Sequence, residues 1–153
     1  MARSPSRSRS TTPTGTSIPH KARAWLSIPC DAAGLGAFRA IFGALMLFAV
    51  ARFVTYGWLD TLYEAPAFHF TYPGFDWVRP WPASGMAIHF GLMALCALGV
   101  TLGVFARVAA TLFAVLFTWA ELIEAATYLN HYYLISLIAL LLAVTPCDRA
   151  LAR

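Results

Sequence analysis

Charge is what this chain has least of. Only 12% of its 153 residues are Asp, Glu, Lys or Arg, and none of the acidic residues precedes Asp31. Hydrophobic residues make up 59% of the sequence, and the mean hydropathy is +0.66. An average soluble domain has about 25% charged residues. The deficit therefore excludes an ordinary soluble domain and predicts an integral membrane protein.

Cysteine and the common catalytic motifs are also scarce. The three cysteines, Cys30, Cys96 and Cys147, are odd in number, and none adjoins a His, Lys or Arg that would lower the pKa of its thiol. We expect reduced thiols rather than disulfides or nucleophiles. The chain has no Gly-rich phosphate loop, G-x-S-x-G elbow or H-E-x-x-H pair. Hydrolase and nucleotide-binding functions are therefore unsupported, and a metal site is not predicted.

Long apolar runs are what the sequence has in place of charge. Crossing a bilayer core of about 30 Å takes about 20 helical residues. Three runs reach that length and a fourth is short but sufficient: residues 33–57, 84–106, 107–127 and 130–146. The fold class predicted from them is an all-α integral membrane protein with four transmembrane helices in a bundle.

The positions of the basic residues predict how this bundle is oriented, because short cytoplasmic segments retain Lys and Arg. If the N-terminus is cytoplasmic, the outer connection between the first two spans carries a single arginine, Arg79, among three acids. The cytoplasmic side then holds the larger basic group: Arg3, Arg7, Arg9, Lys21, Arg23, Arg107, Arg149 and Arg153. We therefore expect both termini in the cytoplasm. The formal charge of +4 suits a lipid bilayer with anionic lipid as partner, and no nucleic-acid partner is expected.

The predicted domain occupies residues 25–149, between two basic ends. Residues 1–24 are rich in Ser, Thr, Pro and Arg and are predicted to form a disordered cytoplasmic tail. An organellar transit peptide is the alternative, and the prolines of this segment count against it. Asp31 is placed to cap the first helix, and residues 150–153 form a short basic end. The Ala- and Arg-rich composition indicates a bacterial plasma membrane.

Small residues predict where the helices touch. Gly36, Ala40 and Ala44 recur at every fourth position of the first span, and Gly99 and Gly103 do so in the second. Such strips allow helix backbones to approach closely in membranes. They support a packed bundle and carry no chemistry of their own.

The connection between the first two spans, residues 58–83, is rich in aromatic residues and proline. Aromatic rings with a polar edge settle at the headgroup level of a bilayer, and proline prevents one long helix. The segment is predicted to lie along the outer interface as a cap over the bundle. It forms either an aromatic belt or a lid over a substrate. The rings are those of Trp58, Tyr63, Phe68, Phe70, Tyr72, Phe75, Trp77 and Trp81.

Ionisable residues cluster at one predicted depth, near the outer boundary. A helical rise of about 1.5 Å per residue places five of them at this level: Arg52, His89, Glu121, Glu124 and His131. Glu121, Glu124 and Tyr128 are spaced so that they share one helix face. Polar groups inside a membrane need partners, so Arg52 is expected to pair with one or both glutamates.

This cluster has two interpretations. In the structural one, ion pairs and hydrogen bonds only lock four helices together. In the functional one, a cavity opens to the outer face and a Glu or His exchanges protons with a small ligand. The candidate catalytic residues are His131, Asn130, Glu121 and Glu124, and the candidate cavity residues are Arg52, His89, Tyr128 and Tyr132.

Arg39 lies far from this cluster, about 20 Å from Arg52 along the same helix. Its predicted position is near the cytoplasmic boundary. It either snorkels to the interface or bonds carbonyl groups of a neighbouring helix.

Four strings in order along the chain resemble a known family. They are AFRAIFGALM (37–46), FDWVRPWP (75–82), ALGVTLGVFAR (97–107) and ELIEAATYLNHYYLISL (121–137). Over residues 31–149 the chain is similar to the HTTM domain, the N-terminal membrane part of the vitamin K-dependent gamma-carboxylase family. Six positions match the motifs of that family: Arg39, Arg79, Pro80, Arg107, Asn130 and His131.

The resemblance implies an enzyme that deprotonates a reduced naphthoquinone, a vitamin K hydroquinone-like quinol. The quinol then reacts with oxygen to an epoxide, and the strong base so formed allows glutamate to be carboxylated. In such an enzyme Asn130 and His131 belong to the active-site region of the helical bundle. The cofactor and these roles are implied by the resemblance alone.

The chain departs from that family at its lysines. The family commonly has an acid followed by Lys just before the Asn-His motif, whereas Glu124 is followed by Ala125. The catalytic lysine of the family belongs to a later helix, and the only lysine here is Lys21. We therefore expect a catalytically incomplete member that needs a missing C-terminal half or a partner helix. The alternative is a non-catalytic four-helix module, similar to DoxX-like proteins, that acts through partner helices.

Overall fold

All regular secondary structure is helical in the part of the chain that the computed structural model describes, residues 33–82, 84–127 and 129–145. This confirms the predicted all-α class. Four α-helices follow one another: α1 at Ala33–Thr55, α2 at Gly85–Leu102, α3 at Ala106–Ile123 and α4 at Asn130–Val144. Some predictions concern residues outside the described ones, namely the two basic ends, Cys30, Asp31, Tyr128 and Cys147.

Three of the helices are long and apolar enough to cross a membrane. α1 has 23 residues, and α2 and α3 have 18 each, which confirms the prediction of an integral membrane protein embedded in lipid. Large apolar side chains cover the outside, with Phe48 67% and Val144 71% exposed, as expected for faces that contact acyl chains. The predicted fourth span is a shorter apolar helix of 15 residues, because the backbone is already extended at Thr145.

Each helix packs on the next one in the chain: α1 on α2, α2 on α3, and α3 on α4. The core between them is apolar and closely packed, with Met86 and Ile123 fully buried and Phe113 only 1% exposed. At the contact between α1 and α2, a Cβ added to Gly43 would lie 2.6 Å from the backbone nitrogen of Thr101. Glycine at this position therefore lets the two backbones touch.

Only some residues of the predicted small-residue strips lie at helix contacts. On α1, Gly36 is buried but Ala44 is exposed, so the contact face runs through Gly43 instead. On α2, Gly99 faces α3, where an added Cβ would come within 3.1 Å of a side chain. Gly103 lies beyond the end of α2. A spacing of four residues predicted close packing, but the rotation of each helix decided which small residues take part.

The turn between α2 and α3 consists of residues 103–105. Gly103 ends α2 with a left-handed φ of +79°, and its N–H donates to the carbonyl of Gly99. Phe105 also has a positive φ, 46°. The predicted span 84–106 was therefore too long, because a glycine in the left-handed conformation terminates a helix. The result is a tight helical hairpin.

Two arginines close this end of the bundle, which we call the arginine-capped end. Arg39 is 1% exposed, and its Nη1 donates to the carbonyl oxygens of Val100 and, at 3.5 Å, Thr101. Nε of Arg107 donates to the carbonyl oxygen of Ala143 at 3.1 Å. Of the two alternatives for Arg39, the structure therefore has the bond to carbonyl groups of a neighbouring helix.

The connection between α1 and α2 packs against the opposite end of the bundle. It begins with a single π-helical turn, Asp60–Glu64. Further along, Trp81 stacks on Trp119 of α3 with ring centroids 5.2 Å apart, and Trp77 meets the same ring edge-on at 5.5 Å. These ring contacts hold the connection against α3. Whether it acts as a belt or as a lid stays a prediction.

Candidate functional site

A cavity of about 200 Å³ lies inside the bundle, at the end opposite the arginine-capped end. The helices are antiparallel to their neighbours, so the ends of α1 and α3 meet the beginnings of α2 and α4 at this level. All four helices and the π-helical turn contribute to the wall. The lining residues include Met46, Arg52, Phe53, Trp58, Tyr63, Phe90, Met93, Phe113, Phe117, Glu121, His131 and Tyr132.

Most of the wall is aromatic or aliphatic. Phe53 stacks on Phe90 with ring centroids 4.9 Å apart, and Phe113 stacks on Phe117 at 5.7 Å. Met93, which is 2% exposed, also lines the wall. Flat apolar surfaces of this kind suit an aromatic ligand, which gains both by burial and by offset stacking.

Four of the residues predicted from the sequence meet at this cavity: Arg52 from α1, Glu121 from α3, and His131 and Tyr132 from α4. The rings of His131 and Tyr132 lie 4.4 Å apart. Arg52 and His131 are exposed, whereas Glu121 and Tyr132 are half-buried. A guanidinium, a carboxyl group, an imidazole and a phenol therefore share one apolar cavity, which is a suitable setting for moving a proton.

The ion pair expected for Arg52 is not formed. Its guanidinium carbon lies 5.4 Å from the ring centroid of Trp58, a cation–π contact. Among the described residues, no ion pair joins Arg52 to Glu121 or Glu124. Arg52 therefore contacts the ring of Trp58 instead of the predicted carboxylate of Glu121 or Glu124.

Glu124 lies away from the cavity, and its side chain binds the connection between α1 and α2. α3 ends one residue before Glu124, and the backbone of Glu124 is extended (φ −136°, ψ 99°). Glu124 therefore does not share a helix face with Glu121 as predicted. Its carboxylate accepts hydrogen bonds from Nδ1 of His69 and from the N–H of Phe70, both at 3.3 Å. The N–H of Ala125 donates to the carbonyl of Phe70 at 2.7 Å. Glu124 therefore joins the connection between α1 and α2 to the segment between α3 and α4.

His89 and Asn130 do not line the cavity either. His89 is 5% exposed, and its Nε2 lies 2.9 Å from the carbonyl oxygen of Leu116 on α3. The ring joins α2 to α3 instead of facing a ligand. Asn130 is the first residue of α4 and is exposed, and Tyr128 lies outside the described residues.

The π-helical turn contributes cavity residues that the sequence reasoning missed. Leu62 and Tyr63 both line the wall, and the Tyr63 hydroxyl donates to the carbonyl of Ala120 at 3.5 Å. Burial, with a smaller effect from the negative charge of Glu121, raises the pKa of the Tyr63 phenol well above its usual range. The only signal in the sequence was the aromatic character of residues 58–83, which did not show which ring turns inward.

The remaining motif residues lie apart from the cavity. Arg79 and Pro80 line a separate depression in the connection between α1 and α2. Within residues 33–82, 84–127 and 129–145, no group of three His, Cys, Asp or Glu side chains is arranged to hold a metal ion.

These features define a class of protein: an all-helical integral membrane protein whose helices enclose a small cavity with polar groups on an apolar wall. The family model of the HTTM domain matches residues 28–152. The chain therefore belongs to the HTTM domain family, which confirms the resemblance based on the four sequence strings. No solved structure matches the chain.

Proposed function

We propose that the cavity binds a quinol-type ligand and that its polar residues accept a proton from that ligand. The observation that carries the proposal is a carboxyl group, an imidazole and a phenol on one otherwise aromatic wall, inside a membrane protein. Quinols are flat apolar rings with two hydroxyl groups, and many dissolve in bilayers. The resemblance of the HTTM domain to part of the vitamin K-dependent gamma-carboxylases supports the same ligand class.

The apolar residues would hold the ring of such a ligand. The stacked pairs Phe53–Phe90 and Phe113–Phe117 offer flat surfaces against which a ring can lie. Because the cavity is small, about 200 Å³, an apolar tail would extend along the lipid-facing surface of the bundle. A bilayer-soluble ligand with a hydroxyl-bearing ring and an apolar tail fits this division.

The polar residues would carry the proton chemistry. A bound quinol supplies a hydroxyl proton and a ring that can take up the charge left behind. Glu121 is the proposed base, with its carboxylate accepting the proton, and His131 is the other acceptor on the wall. Tyr132 can donate a hydrogen bond to a ligand oxygen, and Arg52, which has no carboxylate partner among the described residues, stabilises the negative charge.

Carboxylation of glutamate, which the family resemblance implies, lies outside this proposal. Lys21 is the only lysine of the chain, and it lies outside the described residues. The proposal therefore covers ligand binding and proton transfer. A partner helix or a further segment is proposed to supply any later step.

Binding of a water-soluble naphthoquinol, kept reduced under anaerobic conditions, to the full-length protein in detergent tests the proposal. Trp58 lines the cavity, so the bound naphthoquinol should quench tryptophan fluorescence in a saturable way. We expect Glu121→Gln and His131→Ala each to weaken binding about tenfold, the effect of losing about 1.4 kcal/mol of polar contact.

Asp60→Asn is the matched control, because Asp60 is an exposed acid of the π-helical turn that does not line the cavity. Its affinity should equal that of the unmodified protein. Absence of saturable quenching, or equal weakening by Asp60→Asn, would contradict the proposal. That result would favour the non-catalytic module that acts through partner helices.

A further inference from the structure

A second depression, of about 440 Å³, lies in the connection between α1 and α2. It is separate from the proposed quinol cavity except that Tyr63 borders both. Its walls come from the two ends of the connection: Tyr63, Glu64, Arg79, Pro80, Trp81 and Pro82. We call it the outer depression, after the predicted outer side of this connection. It combines two opposite charges, two aromatic rings and two prolines.

The two charged side chains of the outer depression have no partner among the residues that the structure describes. Glu64 and Arg79 are both exposed, and neither makes a side-chain hydrogen bond or ion pair with any described residue. They line the same depression without meeting each other. Each can therefore accept a partner of opposite charge from outside the protein.

The backbone that carries Arg79 is held firmly in place. Val78 beside it is fully buried, and the N–H of Val78 donates to the carbonyl of Phe75 at 2.9 Å. Trp81 stacks on Trp119 of α3 at 5.2 Å, and the prolines at positions 80 and 82 fix their own φ angles. A binding site on such a backbone loses little conformational entropy when it is occupied.

The outer depression also lies just beyond the ends of two helices of membrane-spanning length. Glu64 ends the turn that follows α1, and Pro82 lies just before Gly85, where α2 begins. Both helices are long and apolar enough to span a bilayer. Tryptophan rings such as that of Trp81 settle at the level of lipid headgroups. In a bilayer that these two helices span, the unpartnered charges would lie at the level of the phospholipid headgroups.

We propose that the outer depression binds the headgroup of a phospholipid that carries a phosphate and a primary ammonium group, as phosphatidylethanolamine does. The guanidinium of Arg79 donates to the phosphate oxygens. The ammonium donates to the carboxylate of Glu64 and lies against the rings of Tyr63 and Trp81, to which it is attracted by cation–π interaction. A purely anionic headgroup would leave Glu64 facing negative charge. This site goes beyond the proposed quinol function and does not depend on it.

Native mass spectrometry of the full-length protein tests this proposal. The protein would be released from detergent that contains equal amounts of phosphatidylethanolamine and phosphatidylglycerol. We expect lipid adducts with phosphatidylethanolamine to exceed those with phosphatidylglycerol about threefold. Glu64→Gln should abolish this preference, whereas Arg79→Gln should lower the adducts of both lipids. Asp60→Asn, in the same turn as Glu64 but away from the depression, should behave like the unmodified protein.

Equal adducts of the two lipids, or a preference that survives Glu64→Gln, would overturn the proposal. A separate arm adds an excess of soluble phosphoethanolamine. Persistence of the phosphatidylethanolamine adducts supports a lipid as the source of the headgroup. Complete displacement would show that the free zwitterion is the ligand and would overturn the assignment to a lipid. Naphthoquinol binding is measured on the same variants, and it should be unchanged.

Discussion

The two ends of the helical bundle use arginine in different ways. At the arginine-capped end, Arg39 and Arg107 donate to carbonyl groups in the last turns of α2 and α4. Such bonds satisfy groups that helices leave unpaired at their C-termini. At the cavity end, Arg52 lies against Trp58 and lines the cavity, without a side-chain hydrogen bond or ion pair to a described residue. Residue type and depth alone therefore do not separate a structural arginine from one available to a ligand.

This difference assigns separate tasks to the two ends. Substitutions at the arginine-capped end should lower stability, because they leave carbonyl groups in the last turns of α2 and α4 without donors. Substitutions on the polar part of the cavity wall should weaken ligand binding and change stability little. Four experiments test this division, and they are ordered by the size of the expected effect on the free energy of unfolding.

The largest effect is expected from Arg39→Ala. This change removes the donor to Val100 and Thr101 and leaves a void where a side chain is 1% exposed. We expect a loss of about 3 kcal/mol in the free energy of unfolding. The measurement is the unfolding transition in detergent as sodium dodecyl sulfate is added. Arg39→Lys, which keeps the charge, should lose less, and an unchanged transition for Arg39→Ala would contradict the structural role.

Gly103→Ala should have the next largest effect. Gly103 has a φ of +79°, and an added Cβ would lie 2.7 Å from Nη1 of Arg39. The left-handed conformation and the displaced guanidinium together should lower the free energy of unfolding by about 1–2 kcal/mol. Gly34→Ala is the matched control, because an added Cβ there meets nothing within 4 Å. Equal transitions for the two variants would show that the turn does not constrain Arg39.

Tyr63→Phe should change the response of the protein to alkaline pH. Burial raises the pKa of Tyr63, so the folded protein keeps a proton that the unfolded chain releases above about pH 10. Stability from this group is complete below that pH and falls as the pH rises further. At pH 11 the unmodified protein should lose about 1 kcal/mol more than Tyr63→Phe, relative to pH 8. Parallel losses in the two proteins would show that Tyr63 ionises freely.

Arg52→Gln should have the smallest effect on stability, within about 0.5 kcal/mol. The guanidinium is exposed and contacts only the ring of Trp58 among the interactions described. Naphthoquinol binding, measured by fluorescence quenching, should nevertheless weaken. A loss of stability as large as that of Arg39→Ala would remove the distinction between the two ends.

The fold was predictable from the sequence to the level of helices but not of their ends. Apolar runs indicated membrane helices, because a bilayer requires a minimum length of apolar helix. α2 ends at Leu102 because Gly103 adopts the left-handed conformation. The sequence alone does not show whether a glycine in a small-residue strip ends a helix or packs against another one. Which small residue of α1 touches α2 depends on helix rotation, which length and hydropathy do not determine.

Residues of the candidate site were predictable from the sequence where their depth along a helix alone brings them to the cavity. Arg52, Glu121 and His131 reach one cavity because the rise per residue of a helix is fixed. Depth did not decide the position of Glu124, which follows the end of α3, or that of His89, whose ring turns toward Leu116. The roles of residues in the connection between α1 and α2 arise from contacts distant in sequence, and a single sequence does not show such contacts.

The length of α4 has a consequence for the surrounding bilayer. At about 1.5 Å per residue, its 15 residues reach about 22 Å, less than the hydrocarbon thickness of about 30 Å. A hydrophobic helix that is too short is accommodated when the bilayer thins around it or when flanking side chains extend to the interface. His131 and Tyr132 lie in the first turn of this helix and also line the cavity. In a bilayer that thins around α4, the thinned region would adjoin the cavity and would shorten the path between the headgroup layer and its polar wall.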